Sequence, residues 1–417
     1  MHRQLPFVYW EKAYSLDASA RIDTFAAKST NRMSKLPVKR PRLMFIDMAR
    51  SIAIILMLEG HFVDQTLGSR FRSPDAHFVN PDFFWYDCWH IIRGYTSPMF
   101  LTMTGLIFVY LLYANKGEPF FGNERVKKGF KRVAELLFWG YVLMPKGFHI
   151  LQCIGFGILG LLLTYGLYRL IKVIPLWVYY FVFSITIFSF WAPLNSIRNE
   201  AGVIPWPYGW PDFLQNMIHA PSHRSMFPLA PHLGYTFFGA GIGVLLHTTW
   251  MNKIKWNIPV FLFTSGLLLF FFSTQFLYFV HHLMTRLLGF GIQNIASGNW
   301  LFENLGMILI VLGLLSLFEK LFTIKENLFI RMGRNTLPVF VVHMIILYGA
   351  IIHFGIAKFI SRDMNPLNPW EAAIGAALFI ATFGFMVHYI KPLTAFYDKV
   401  LGIIFPIRKR FAKESKK

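Results

Sequence analysis

The sequence predicts an all-α polytopic membrane bundle of about ten transmembrane helices, with both termini in the cytosol. Three observations predict it. Of the 417 residues, 55% are hydrophobic and only 15% charged, against roughly 25% charged in an ordinary soluble domain. The apolar residues collect in long runs with Gly inside them; lipid leaves only helices or a closed barrel able to satisfy the backbone, and continuous runs favour helices. The 41 Lys and Arg against 21 Asp and Glu do not line one face, as nucleic-acid binding requires. They sit in short polar segments between the apolar runs, as loops at an anionic membrane surface do.

A hydrocarbon core of about 30 Å takes roughly 20 apolar residues at helical rise. Segments of suitable length are 43–63, 92–113, 130–144, 148–168, 173–192, 229–247, 258–280, 301–318, 336–356 and 370–390. With the N terminus inside, the cytosolic segments hold 31 of the 41 Lys and Arg and the opposite loops 8, while Arg50 and Arg93 lie within spans. Moving one span would scramble that alternation, so the count supports both the number and the orientation.

The domains that follow are a polar cytosolic tail, 1–42, a transmembrane domain, 43–392, and a basic cytosolic tail, 393–417. The first tail has no apolar core of the kind a signal peptide needs. Cys88 and Cys153 make neither a disulfide framework nor a zinc spacing. The long outward segment 193–228 contains Trp206-Pro207-Tyr208-Gly209-Trp210-Pro211, which reads as an interfacial aromatic belt or as a platform for sugar rings. Neither an internal repeat nor matching broken helices in the two halves is visible, which weakens a transporter or flippase reading.

The first span carries the chemistry. At 100° per residue Asp47, Arg50, Ile54, Met57, His61 and Asp64 share a stripe roughly 100° wide. Arg50 and His61 are three turns apart, about 16 Å along the axis, so Arg50 falls in the inner half of the bilayer and His61 near the outer interface. A central charge costs at least about 2.5 kcal/mol, so the stripe must face protein or water. Asp47 offsets Arg50 at the i,i+3 spacing. One reading is a structural ion pair that only orients the helix; the other is a site where a cation meets an anionic or carbonyl group.

His61 is the first candidate base, since an imidazole takes and returns a proton near neutral pH. Asp64, one turn on, is the group expected to orient its ring or stabilise its charged form. Gln152 and His232 open spans at the outer surface, either lining an acceptor entrance or satisfying loose helix-start amides. His343 lies deeper, bordering the cavity, and Glu59, off the stripe, reads as an interhelical hydrogen-bond partner. Lys127, Lys128, Lys131 and Arg132 form a cytosolic basic cluster suited to phosphates, or simply the inside-positive signal. His281 and His282 are neighbours that cannot face one site, and no metal is expected.

The stretch Arg42-Leu43-Met44-Phe45-Ile46-Asp47-Met48-Ala49-Arg50-Ser51-Ile52-Ala53-Ile54-Ile55-Leu56-Met57 resembles the opening helix of the transmembrane acyltransferases. Ser97-Pro98-Met99-Phe100-Leu101-Thr102-Met103-Thr104-Gly105 and His149-Ile150-Leu151-Gln152-Cys153-Ile154-Gly155 resemble their second and fourth helices. Pro228-Leu229-Ala230-Pro231-His232-Leu233-Gly234-Tyr235, with Gly239, Gly241 and Gly243, resembles the sixth, and Arg334-Asn335-Thr336-Leu337-Pro338-Val339-Phe340-Val341-Val342-His343 a late one. The nearest resemblance is to the heparan-alpha-glucosaminide N-acetyltransferase catalytic-domain family, in its bacterial-type members; the acyltransferase-3 family is more distant.

That resemblance implies a membrane-embedded transfer of an acyl group, usually acetyl from cytosolic acetyl-CoA, to an extracytoplasmic carbohydrate. Taken with the reading of the first span, it gives as catalytic candidates His61, Arg50, Asp64 and His90, and as an acceptor side Asp47, Gln152, His232, His343 and Asn335. Arg50, Lys127, Lys128 and Arg132 would face CoA. The expected setting is the cytoplasmic membrane of a bacterium, with lipid and a glycan as partners and a homodimer allowed. One departure matters: eukaryotic members carry a catalytic His in the outward loop before the second helix, beside Trp-Asn-Gly, and Asn where His61 stands. Here that loop has His90 within Asp87-Cys88-Trp89-His90 at a different spacing, so His61 ranks first and His90 second.

Overall fold

The computed structural model describes residues 43–73, 80–145, 147–196, 211–218, 225–292 and 294–389. Both expected tails and the aromatic segment Trp206 to Trp210 lie outside the described residues. In chain order the helices are α1 (Met44–Thr66), α2 (Phe84–Gly94), α3 (Thr96–Tyr113), α4 (Glu124–Leu143), α5 (Ile150–Leu170), α6 (Leu176–Ser196) and α7 (Asp212–Ile218). They continue as α8 (Leu229–Leu245), α9 (Thr249–Lys253), α10 (Asn257–Leu288), α11 (Asn299–Leu321), α12 (Leu328–Arg334), α13 (Thr336–Tyr348) and α14 (Pro369–His388). No strand occurs among the described residues.

A helix occupies every one of the ten segments in which the sequence predicts a span. Among the described residues five helices are long and apolar enough to cross a membrane, or six when the bent pair α12 and α13 counts as one. α1, with Asp47, Arg50, Glu59 and Asp64, and α4, with its basic cluster, carry too much charge for that measure. The chain is an all-α membrane bundle.

Two boundaries differ from expectation. The ninth span was expected over 336–356, but α13 ends at Tyr348, where Gly349 takes the left-handed conformation (φ 71°) that closes a helix C terminus. Its start is also a break, because α12 and α13 meet at an angle of 84°. Asn335 leaves helical geometry there (φ −104°, ψ 37°), and Pro338 lacks the N–H that would tie a continuous helix to the turn before it. The second difference is α2, a helix where an outward loop was expected. Asn80 accepts from the Asp82 N–H at 3.0 Å and Pro81 opens the turn that leads into it.

α1 is the central post. Its first two N–H groups, at Met44 and Phe45, donate to the two carboxylate oxygens of Glu319 on α11 at 3.1 and 3.0 Å. A carboxylate there satisfies orphan donors and meets the positive end of the helix dipole. α3, α11, α12, α13 and α14 all pack on α1, and Ala49, Ala53, Ile54 and Leu58 are fully buried. By contrast α10 leaves Phe271, Phe279 and Leu287 exposed, as a lipid-facing helix does.

The α3–α8 crossing depends on missing side chains. A Cβ on Gly239 would overlap the Thr102 carbonyl oxygen, and one on Gly105 the Thr236 carbonyl oxygen. Small residues let membrane helices approach to backbone contact. Gly239→Ala is therefore expected to push the pair apart at a cost of about 1–3 kcal/mol or more, read as a lowered unfolding midpoint of the detergent-solubilised protein. An unchanged midpoint would count against this packing.

Candidate functional site

The stripe on α1 points into protein along its length. At its inner end Asp47, 6% exposed, lies 4.0 Å from Arg50 Nη1 and 3.8 Å from Arg334 Nε. The sequence supplies the first partner by spacing; the second arrives from the end of α12. The fit is close: the Ser51 hydroxyl lies within 2.9 Å of the Asp47 carbonyl and 2.6 Å of the Phe329 carbonyl, and accepts from the Gly333 N–H at 3.1 Å. Asp47 is thus locked into an ion-pair network rather than presented to a ligand.

Eleven residues beyond Arg50 on α1, His61 Nδ1 lies 3.1 Å from Nε2 of His343, with the two rings at 64°. His343 is fully buried on α13, and the Tyr348 ring stands 5.9 Å from His61. Two imidazole nitrogens at that separation share one proton, so one ring donates to the other. The partner expected for His61 was Asp64. Its carboxylate is instead taken by Arg93 of α2, which it meets in a close ion pair, and by Arg72 at 3.7 Å. Arginine outcompetes a neutral imidazole for a carboxylate because both partners are charged and planar.

Arg93 organises the outer end. A Cβ on Gly60 would meet its side chain at 2.9 Å, so the guanidinium lies across the α1 backbone. It reaches His90 Nδ1 at 3.5 Å and lies over the Trp89 ring at 5.4 Å. His90 stacks on Tyr86 with centroids 5.8 Å apart, so it belongs to a helix and an arginine cluster rather than to a loop. Glu59, on the far side of α1, accepts from the Trp89 indole N–H. A cavity of about 720 Å³ lies on that far side, lined by Glu59, Trp85, Tyr86, Trp89 and Ala372 among others; Asp47, Arg50, His61 and Asp64 are not in its wall.

The other candidates divide. Gln152 spends its amide on the start of α5, accepting from His149 N–H at 2.8 Å and donating to the Gly147 carbonyl at 3.0 Å. It is a capping-box residue, fully buried, so its amide serves the helix start that the sequence offered as the alternative to an acceptor entrance. Asn335 donates to the Arg331 carbonyl at 2.8 Å and stabilises the α12–α13 break. His232 Nδ1 sits 2.9 Å from the Pro228 carbonyl, at the start of α8. On α4, Lys127 and Lys128 are exposed. Lys128 pairs with Glu124 at 3.0 Å, holding that carboxyl below its usual range, and Arg132 pairs with Glu135 at 3.0 Å.

Three residues that sequence reasoning did not single out join the site: Arg334, Arg93 and His149. His149 caps α5, its Nδ1 accepting from the Leu151 N–H at 3.1 Å. The Phe340 ring meets both His343, at 4.9 Å, and His149, at 5.6 Å. The Gln at the third helical position after His149 was a legible capping signal, but nothing in the sequence brings His149 to Phe340. Among the described residues no group of three His, Cys, Asp or Glu is arranged to hold a metal ion.

Apolar spans around an interior stripe of paired charge and paired imidazoles define an integral membrane protein with a buried polar site. Residues 42–284, more than half of the chain, match the family described as heparan-alpha-glucosaminide N-acetyltransferase, catalytic. The chain belongs to that family, whose members are membrane acetyltransferases that act on carbohydrate with acetyl-CoA as the usual donor. No curated protein matches the chain.

Proposed function

We propose that the protein transfers an acetyl group from cytosolic acetyl-CoA to a carbohydrate outside the cytoplasmic membrane of a bacterium, with both of its own termini in the cytosol. The observation that carries this reading is the His61–His343 hydrogen bond on a helix whose inner end holds an Asp47–Arg50–Arg334 network. In the arrangement with His61 Nδ1–H donating to His343 Nε2, the other nitrogen of His61 is a bare base. His343 then takes the orienting part that Asp64 was expected to play.

In this reading His61 accepts the proton of the acceptor's hydroxyl or amine as that group attacks the thioester carbonyl, and returns it to the departing thiolate. Arg50, partly exposed, and the basic face of α4 suit the phosphates of the donor. His90 is the second candidate, held by Arg93 at the outer end. Acetyl-CoA supplies the activated acyl group; the chain supplies the base, its orientation and a dry setting in which charge is not screened.

The test uses purified protein in sealed vesicles, with acetyl-labelled CoA outside or inside and an α-glucosaminide or a glucoside as acceptor. Label in the sugar opposite the donor supports the reading; label that stays in the donor, with intact sugar crossing, would support the transporter that the broken α12–α13 pair also suits. The rate is also expected to fall once the pH is low enough to protonate His61, because a protonated imidazole cannot take the acceptor's proton. A profile with no acid limb over the whole range in which the protein stays folded, with chemistry limiting, would remove His61 from that role.

A further inference from the structure

His149 holds a hydrogen-bond donor in reserve. Its ring is 3% exposed, and its Nδ1 is committed as the acceptor that caps α5. A neutral imidazole carries a single N–H, so the proton sits on Nε2. That atom is buried and meets no hydrogen-bond partner. An unsatisfied buried donor is destabilising, and the cap itself does not need it, since Asn, Asp or Ser would supply the acceptor as well. The ring packs on Phe340, which also packs on His343 of the His61–His343 pair.

We propose that His149 is a catalytic residue of the acetyl transfer, its Nε2–H donating to the thioester carbonyl oxygen as that oxygen takes up negative charge. The inference rests on the transfer reading above and extends it to a residue that reading does not use. The acceptor's oxygen or nitrogen bonds to the carbonyl carbon while its proton passes to His61. The carbonyl π pair moves onto oxygen, where the His149 N–H stabilises it. The pair then returns, the carbon–sulfur bond breaks, and the thiolate leaves with the proton from His61. The Phe340 ring, edge-on to both His149 and His343, is the side chain that gives way to admit the carbonyl.

Two substitutions separate the donor from the cap, because Asn reproduces the near nitrogen of the ring and Gln the far one. His149→Asn keeps the α5 cap and deletes the donor. It is expected to retain the wild-type unfolding midpoint and the KM for acetyl-CoA while kcat falls about 10²–10³-fold, the usual loss for one oxyanion donor. His149→Gln keeps an N–H near the far position and loses the cap, so its midpoint falls while kcat stays closer to wild type. Wild-type kcat in His149→Asn, or losses in both variants that track their stability, would overturn the proposal. Assaying His61→Ala in parallel with labelled acetyl-CoA and an α-glucosaminide keeps the two readings apart. Full activity of His61→Ala sinks the transfer mechanism itself; loss there with a normal His149→Asn sinks the oxyanion assignment alone.

Discussion

His61→Ala is expected to lower kcat for acetyl transfer by about 10²–10⁴-fold, the usual contribution of a positioned general base, with little change in stability. The side chain is only partly buried, and among the described residues its hydrogen bond runs to His343, so deleting it opens no large core cavity. His343→Leu is the informative companion. It leaves the base in place but removes the acceptor that fixes its tautomer, so kcat should fall by less than in His61→Ala while KM for donor and acceptor holds. Asp64→Asn should disturb neither, because its carboxylate is engaged with Arg93 and Arg72. Purified variants assayed with labelled acetyl-CoA decide the order of effects. A wild-type rate in His61→Ala, or a larger loss in Asp64→Asn than in His343→Leu, would reverse the assignment.

What the sequence made legible was everything that lies within one helix. The stripe on α1 follows from helical period alone, and Asp47 meets Arg50 because three residues make nearly one turn. The His61–His343 contact joins residues 282 apart in sequence and depends on how α13 docks on α1, so local periodicity carries no trace of it. The difference over Asp64 has the same origin: it was the nearest carboxylate on the same face of the helix, whereas its partners in space are Arg72 and Arg93. α2 was missed because eleven residues are too short to register as a span, although Asn80 and Pro81 mark its approach. The early end of α13 was signalled by Gly349, but an apolar run past a glycine reads as a continuing helix when length is the criterion.

Asp47→Ala is expected to be the most destabilising single change at the site, by about 3–5 kcal/mol, the range for removing one partner of a buried ion pair. The carboxylate stands between Arg50 at 4.0 Å and Arg334 at 3.8 Å, whose side chains are 26% and 24% exposed. That residual exposure puts the expectation at the lower end of the range. Without the carboxylate the charge that bridges Arg50 and Arg334 is gone; Arg334 keeps its pair with Glu326 at 2.5 Å, but the like charges left on the two guanidinium groups repel more strongly at low dielectric. The fold has little slack to relieve this, because Gly333 packs against the Asp47 carbonyl with no room for a Cβ. The double variant Asp47→Ala with Arg50→Leu removes both a charge and its partner, so it should be less destabilised than the sum of the two single changes. Unfolding midpoints of the four proteins in detergent measure this coupling. Additive losses, or an Asp47→Ala protein as stable as wild type, would mean that Asp47 does not organise the inner end of α1.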